Sequence, residues 1–473
     1  MTSTRDWAEE EFGAAKLGDP RRTRRLVGMA AEVAASPAGT VTGACGSSAS
    51  REGAFRFLEN SAVSPSSVRE PVFDAASRRC ATHARVFVAV DGSVLSLTDE
   101  AKAKGLGDIG SKSLSGVHFM SALAVAADGS ALGLCDQRSW VRDKRSVHSA
   151  RRRASIHAPS ETRHWVDALE SAWRSLAHHA PDCQPWFQLD RGADCWQVFA
   201  CVVLHGMLAT VRATHDRRVD DGADFLWAAV EKTPVRANLR IVVPARPPKQ
   251  KCKRIGKRRV FKWLTPPRPA RVARLSVRAS TVSVSLKTST GRPFSLSLNA
   301  VLVREKRAPK EDQVEWMLLT THPIATRADV LEVVRGYTLR WRIEDFHRVW
   351  KRGLCRVEDT QLRSRSSIEK WATILASVAT RAMRLCHLAR SHPDSPATAE
   401  MSRSEILAVI ALREPKDVSL DQTFMLGQIV RWIADIGGYT GPWNGPPGPR
   451  VIGRGLERVL AAAHAIENLS KMR

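Results

Sequence analysis

The chain predicts a mixed α/β core, interrupted by a β-rich insertion and flanked by helical segments at both ends. Three observations carry this. First, RVFVAVDGSVLSL, HFMSALAVA, ALGLCDQRSW and PWFQLD are apolar, β-branched runs at turn-bounded spacing, with one amphipathic helical pattern between the third and the fourth. Second, from about residue 215 to 315 the pattern becomes alternating and strongly basic. Third, beyond about residue 366 the period is helical almost to the last residue.

Residues 1 to about 65 read as helical. LGDPRRTRRLVGMAAEVAAS opens with Asp19 as N-cap and Pro20 at the first helical position, and SREGAFRFLEN forms a second helix. Arg21, Arg22, Arg24 and Arg25 crowd the opening turns of the first. Cations there oppose the helix dipole at a few tenths of a kcal/mol each. An external anion explains the arrangement better than stability does; the alternative is a merely solvated basic face.

The strand beginning at Arg85 carries Asp91, followed by Gly92 and Ser93. Two more strands follow. Then comes the helix SETRHWVDALESAWRSLAHHA, with Ser160 as its N-cap, and a short strand ending at Asp190. Were the first and fourth strands adjacent, the two carboxylates would face each other. Turn aspartates are common, so neither is informative alone. His118, inside a strand, reads as a packed core histidine.

MLATVRATH reads as a fifth strand and EWMLLTTHP as the last. Between them, the dense basic run RPPKQKCKRIGKRRVFKW lies in a stretch with no acidic residue from Glu231 to Glu305. TVSVSLKTS and PFSLSLNAVLVRE alternate around a Gly291–Pro293 turn, which predicts antiparallel hairpins. The insertion reads as a positive surface for a phosphate backbone.

YTLRWRIEDFHRVWK concentrates the chemistry. Taken as one helix at about 100° per residue, Tyr337, Arg340, Glu344 and Lys351 fall within roughly 60° of one another. Ile343, Phe346, Val349 and Trp350 take the opposite side and suit burial. A carboxylate between cations and a phenol can hold a divalent metal beside a phosphate. The alternative is a solvated face with an i,i+4 salt bridge between Arg340 and Glu344. His347, at the stripe's edge, reads as structural or as a phosphate contact rather than a metal ligand.

The 473 residues allow two or three domains and a large core. Lys and Arg outnumber Asp and Glu by 73 to 48, a net charge of +25 that attracts polyanions such as nucleic acid. No uninterrupted apolar stretch approaches the ~18 residues of a membrane-spanning helix, and MTSTRDWAEEEF does not read as a secretory leader. Nine scattered cysteines without a C-x-x-C pair fit a reducing cytoplasm and exclude a zinc ribbon.

With Asp91, Asp190 and Glu344 as a carboxylate trio, the chain resembles the DDE cut-and-paste transposases of bacterial insertion sequences, the IS-four family with its Tn-five-like, hairpin-forming members. Tyr337, Arg340, Glu344 and Lys351 match the family's Y-(2)-R-(3)-E-(6)-K signature without a gap. VDGSVLSL resembles its first-aspartate strand. LDRGAD resembles its D-R-E-A-D segment, with Gly192 in place of Glu. LGDPRRTRRL and EGAFRFLEN resemble its end-binding domain, EWMLLT its strand with a base-inserting Trp, and IADIGGYTG the start of its dimerisation helices.

The resemblance implies a ribonuclease-H-like catalytic domain over 66–365 with the β-rich insertion at about 215–315. It also implies a helical DNA-binding domain over 1–65 and a helical dimerisation domain over 366–473. Asp91, Asp190 and Glu344 would hold two Mg²⁺ or Mn²⁺ ions, a pairing suited to in-line phosphoryl transfer. Arg340 and Lys351 would hold phosphates, Tyr337 the backbone near a flipped base, and Trp316 that base. Arg212, Arg21, Arg22, Arg24 and Arg25 would also contact DNA. The implied partners are double-stranded DNA, as inverted-repeat ends and as target, and a second copy of the chain. The implied reaction is nicking of each end, hairpin formation, reopening and strand transfer. The alternatives are a catalytically silent DNA-binding or regulatory protein, and a stand-alone nuclease with the same metal site.

Overall fold

The computed structural model describes residues 4–99, 104–110, 114–142, 161–219, 224–246, 249–255, 258–265, 267–288, 293–308, 312–416, 418–441 and 446–471. Five helices come first: α1 (Thr4–Phe12), α2 (Pro20–Ala35), α3 (Val41–Ala44), α4 (Ser48–Glu59) and α5 (Pro65–Cys80). Asp19 caps α2 as expected, its side chain accepting from the Arg21 amide, with Pro20 at the helix start. Strands β1 (Arg85–Leu97), β2 (Gly107–Asp108), β3 (Ser115–Val125) and β4 (Ala131–Trp140) precede α6 (Thr162–His179) and β5 (Gln184–Leu189). The expected cap of α6, Ser160, lies outside the described residues. The helix opens after Glu161, which makes no capping hydrogen bond.

The middle of the chain holds α7 (Trp196–Leu204), β6 (Leu208–Arg212), β7 (Arg218–Val219), β8 (Asp224–Phe225), α8 (Leu226–Glu231) and β9 (Val235–Val243). Then follow β10 (Lys249–Ile255), β11 (Arg258–Thr265), β12 (Arg271–Lys287), β13 (Pro293–Glu305), β14 (Glu315–Thr320) and α9 (Arg327–Leu339). The last part is α10 (Arg342–Lys351), α11 (Arg365–Ser391), α12 (Arg403–Arg413), α13 (Leu426–Ile436) and α14 (Pro449–Lys471). The class is mixed α/β, as the sequence predicts.

The chain divides into two compact units, Met1–Gln188 with Leu339–Arg473, and Leu189–Thr338. In the first, β1 lies between β3 and β5, and β3 also carries β2 and β4. β1 and β3 are antiparallel with Asp91 opposite Ser121, so Asp91, Ser93, Phe119 and Ser121 share one face. The Phe119 ring meets Trp350 of α10 edge-on at 5.1 Å, which identifies that face as the one α10 covers.

A large apolar core runs through this unit, from Trp7 and Leu26 through Leu95 and Phe119 to Trp371 and Leu460. α11 ties the N-terminal helices to it. The Trp371 indole donates to the Gly39 carbonyl at 2.7 Å, and the buried Lys370 ammonium to the Asn60 carbonyl at 3.0 Å. Helix α12 begins with a reciprocal capping box between Ser402 and Glu405. α13 and α14 approach through glycine: a Cβ on Gly455 would stand 1.8 Å from the Ile433 carbonyl oxygen.

In the second unit the strand order is β6-β14-β13-β12-β7-β8, with β9 also on β12, and β10 and β11 form a separate antiparallel hairpin. The β12–β13 pair is the long antiparallel hairpin expected, with Lys287 opposite Pro293; Gly291 lies outside the described residues. The acids bordering the acid-free stretch are engaged by arginine. Arg304 pairs with Glu231 and Glu315, and Arg271 with Glu305. On β9 and β12 two exposed arginines, Arg240 and Arg274, stand directly opposite each other.

Candidate functional site

Asp91 sits in mid-strand on the face that α10 covers, 8% exposed. One of its oxygens accepts from the Gly92 amide at 2.8 Å, and the other lies 3.3 Å from the Arg340 guanidinium. Arg340 also lies 3.8 Å from Glu344, so the i,i+4 ion pair open at the level of sequence exists, as the longer of two contacts. One cation therefore spans two carboxylates that are far apart in the chain.

The local backbone departs from the single helix assumed for the signature stretch. Helix α9 ends at Leu339 and α10 begins at Arg342, with Arg340 and Trp341 in a turn between them. The Ile343 and Glu344 amides bond back only three residues, to Arg340 and Trp341, as in a tight 3₁₀ turn. Tyr337 thus belongs to α9, Arg340 to the turn, and Glu344 and Lys351 to α10. The apolar side of α10 is buried as expected: Ile343, Phe346 and Trp350 are fully enclosed, and Trp350 donates to the Ala372 carbonyl at 3.0 Å.

His347 lies one turn after Glu344. One nitrogen of His347 and carboxylate oxygens of Asp91 and Glu344 all lie within 4.8 Å of one another. His347 is 5% exposed, and its Nε2 makes no hydrogen bond among the described residues. Burial, with Lys351 and Arg340 nearby, pushes its pKa down to about 3, so the ring is neutral at ordinary pH. Two carboxylates and a neutral imidazole make a donor set that fits a divalent cation.

Lys351 is 3.6 Å from Glu358, a carboxylate only 8% exposed. Glu358 also accepts from the Ser96 amide of β1 at 3.0 Å and from Arg352 at 2.7 Å. It anchors the end of α10 to the strand that carries Asp91. Nothing in the spacing around Lys351 points to Glu358, because it sits on a separate short turn. His118 is the packed histidine expected, buried and stacked on Trp140 at 5.4 Å.

In the second unit, Asp190 follows β5 and caps a 3₁₀ turn, accepting from the Gly192 amide at 2.7 Å. The turn is clamped by Asp194, whose side chain is fully buried. It accepts from the Thr214 amide and Arg217, each at 2.7 Å, while the Thr214 hydroxyl donates to the Arg191 carbonyl at 2.9 Å. Trp316, on β14, meets Tyr337 edge-on with ring centroids 5.5 Å apart. The two aromatic residues singled out in the sequence are thus neighbours. Arg212 donates to the Glu315 carbonyl at 2.9 Å.

On α2, Arg21, Arg24 and Arg25 are exposed and have no ion pair to a carboxylate among the described residues. Arg22 is half-buried and donates to the Leu17 carbonyl at 2.9 Å. Among the described residues no helix is long and apolar enough to cross a membrane.

Residues 4–63, which hold α1 to α4, match the family model for transposase DNA-binding. Residues 207–380 match the family model for the transposase DDE domain, a stretch that includes Arg340, Glu344 and Lys351. Asp91 and Asp190 lie outside both matches. Over these two stretches the chain is similar to a transposase DNA-binding domain and to a transposase DDE domain.

Proposed function

We propose that this protein is a DDE transposase that cuts both strands at the ends of a mobile element through a hairpin intermediate and joins the freed ends to target DNA. The observation that carries the reading is the Asp91–Glu344 pair, with an arginine within 4 Å of both acids. Asp91, Asp190 and Glu344 are the catalytic acids in this reading. When bound, two divalent cations would neutralise charge at the reacting phosphate and lower the pKa of the attacking hydroxyl.

The chain's own groups supply the rest. Arg340 balances the two acids before DNA binds and can turn its fork to a non-bridging phosphate oxygen, a geometry guanidinium matches well. Lys351 offers a point charge beside it. The Trp316–Tyr337 pair supplies an aromatic surface for an unstacked base next to the cut, which a hairpin requires because the bend cannot keep every base stacked. Arg21, Arg24 and Arg25 approach the ends from α2, and Arg212 adds a phosphate contact. Cutting, hairpin formation, reopening and strand transfer are all in-line displacements at phosphorus, so one set of acids serves them all. Residues 1–65 bind the ends, 66–365 hold the chemistry, and 366–473 pair two copies on DNA.

The test is Mg²⁺-dependent nicking of DNA carrying the inverted repeats that flank the gene, with wild type and Glu344→Gln. Nicking, a hairpin product and joined target are expected from wild type, with nicking lost in the variant. Equal activity of the two proteins rules the assignment out. Cleavage that needs no paired ends and yields no joined product identifies a stand-alone nuclease instead.

A further inference from the structure

We propose that His347 is a nitrogen ligand of the divalent cation held by Asp91 and Glu344, and that it biases this site toward Mn²⁺ over Mg²⁺. The inference rests on the two-carboxylate metal reading of the preceding section and goes beyond it. Three observations support it. One ring nitrogen of His347 lies in one group with oxygens of both acids, all within 4.8 Å. The ring is almost wholly enclosed, yet its Nε2 has no hydrogen-bond partner among the described residues. A buried polar nitrogen left unpaired costs about 1–3 kcal/mol, so a site that retains one needs a reason.

The geometry of α10 supplies that reason. Glu344 and His347 are three residues apart, which sets both over the β1 face where Asp91 stands. Ile343, Phe346 and Trp350 of the same helix are locked in the core, Trp350 against Phe119 of the same sheet face, so neither donor can swing away by rotating the helix. An unpaired buried nitrogen is not by itself distinctive, since His387 also leaves one; among the described residues, the two acids beside His347 set it apart. His118, equally buried, bonds to the Asp108 carbonyl at 3.1 Å and stacks on Trp140. An imidazole nitrogen is a softer donor than a carboxylate. It favours Mn²⁺ over the strictly oxygen-seeking Mg²⁺, whose hydration shell is given up reluctantly.

Electron spin-echo measurements on the full-length protein with one equivalent of Mn²⁺ test this directly. Wild type should show the ¹⁴N modulation of a coordinated imidazole. The pattern should change to that of ¹⁵N when the protein is made with ¹⁵N-histidine, and disappear in His347→Gln. Titration should give a roughly tenfold or greater loss of Mn²⁺ affinity in His347→Gln, with Mg²⁺ affinity changed by less than about twofold. Asp91→Asn identifies the site, because it should abolish the bound-Mn²⁺ signal. Bound Mn²⁺ that depends on Asp91 but shows no nitrogen modulation in wild type overturns the role of His347 and leaves the carboxylate site standing. Mn²⁺ binding indifferent to Asp91→Asn overturns both. The isotope comparison uses wild type alone, so the result stands even if His347→Gln fails to fold.

Discussion

Asp91 and Asp190 are both candidate acids, but the chain holds them in different ways. Asp91 is placed by an apolar core. It sits in mid-strand, opposite Ser121, under a helix held to the core by Ile343, Phe346 and Trp350. Asp190 stands beyond the end of its strand and is placed by polar links: the Gly192 amide it accepts from, and the buried Asp194 clamp beneath the turn. Apolar packing holds a position through many weak contacts and degrades gradually. A polar clamp holds it through a few strong ones and fails when a single partner is removed.

The largest effect expected from breaking this contrast is chemical. Asp91→Asn and Glu344→Gln should each lower end cleavage by about 10³-fold or more, several kcal/mol of barrier, with the melting temperature little changed; single-turnover nicking and a thermal melt check it. Next is Trp350→Ala, which empties the core behind Glu344 and removes the indole donor to the Ala372 carbonyl. It should cost ~3–5 kcal/mol in urea unfolding.

Asp194→Ala should cost somewhat less in unfolding, ~3 kcal/mol, because Arg217 then keeps a buried charge without its carboxylate. It should nevertheless reduce cleavage sharply while Mn²⁺ binding at Asp91 and Glu344 persists, and that split is the sharpest test of the comparison. If Asp194→Ala and Trp350→Ala affect metal binding equally, the two acids are not held independently.

The smallest effect is a pH dependence of the core that holds Asp91. Burial, with Arg342 and Arg390 nearby, pushes the His387 pKa down to about 3. The unfolded chain takes up that proton near pH 6.5 and the folded chain does not, so stability falls as pH drops from ~6.5 toward 3, by up to ~1.4 kcal/mol per unit. His387→Gln should flatten this limb in urea midpoints measured between pH 7 and 4.

Much of this was legible in the sequence, because strand runs and amphipathic helices announce themselves by period. The Asp19 cap, β1 through Asp91, the β12–β13 hairpin and the buried side of α10 all follow from local pattern. The break at Arg340 and Trp341 did not. No proline or glycine marks it, and Trp341 keeps helical dihedrals (φ −61°, ψ −17°), so the apolar period continues across it in phase. The setting of His347 was hidden for another reason. It depends on which strand lies under α10, a tertiary fact that no period encodes. Asp194 reaches the Thr214 amide 20 residues away, and Glu358 the Ser96 amide 262 residues away. Long-range polar pairing leaves almost no local trace.

The facing arginines of β9 and β12 carry a consequence of their own. Arg240 and Arg274 repel across the ladder, in a stretch that has no carboxylate from Glu231 to Glu305. Mobile anions from solution must supply the missing countercharge. Added salt should therefore stabilise Leu189–Thr338 against unfolding, while a polyanion seated on the same strands binds more weakly as salt rises, since its gain is the release of those same small anions. Ionic strength thus acts with opposite sign on the folding of this unit and on its occupancy.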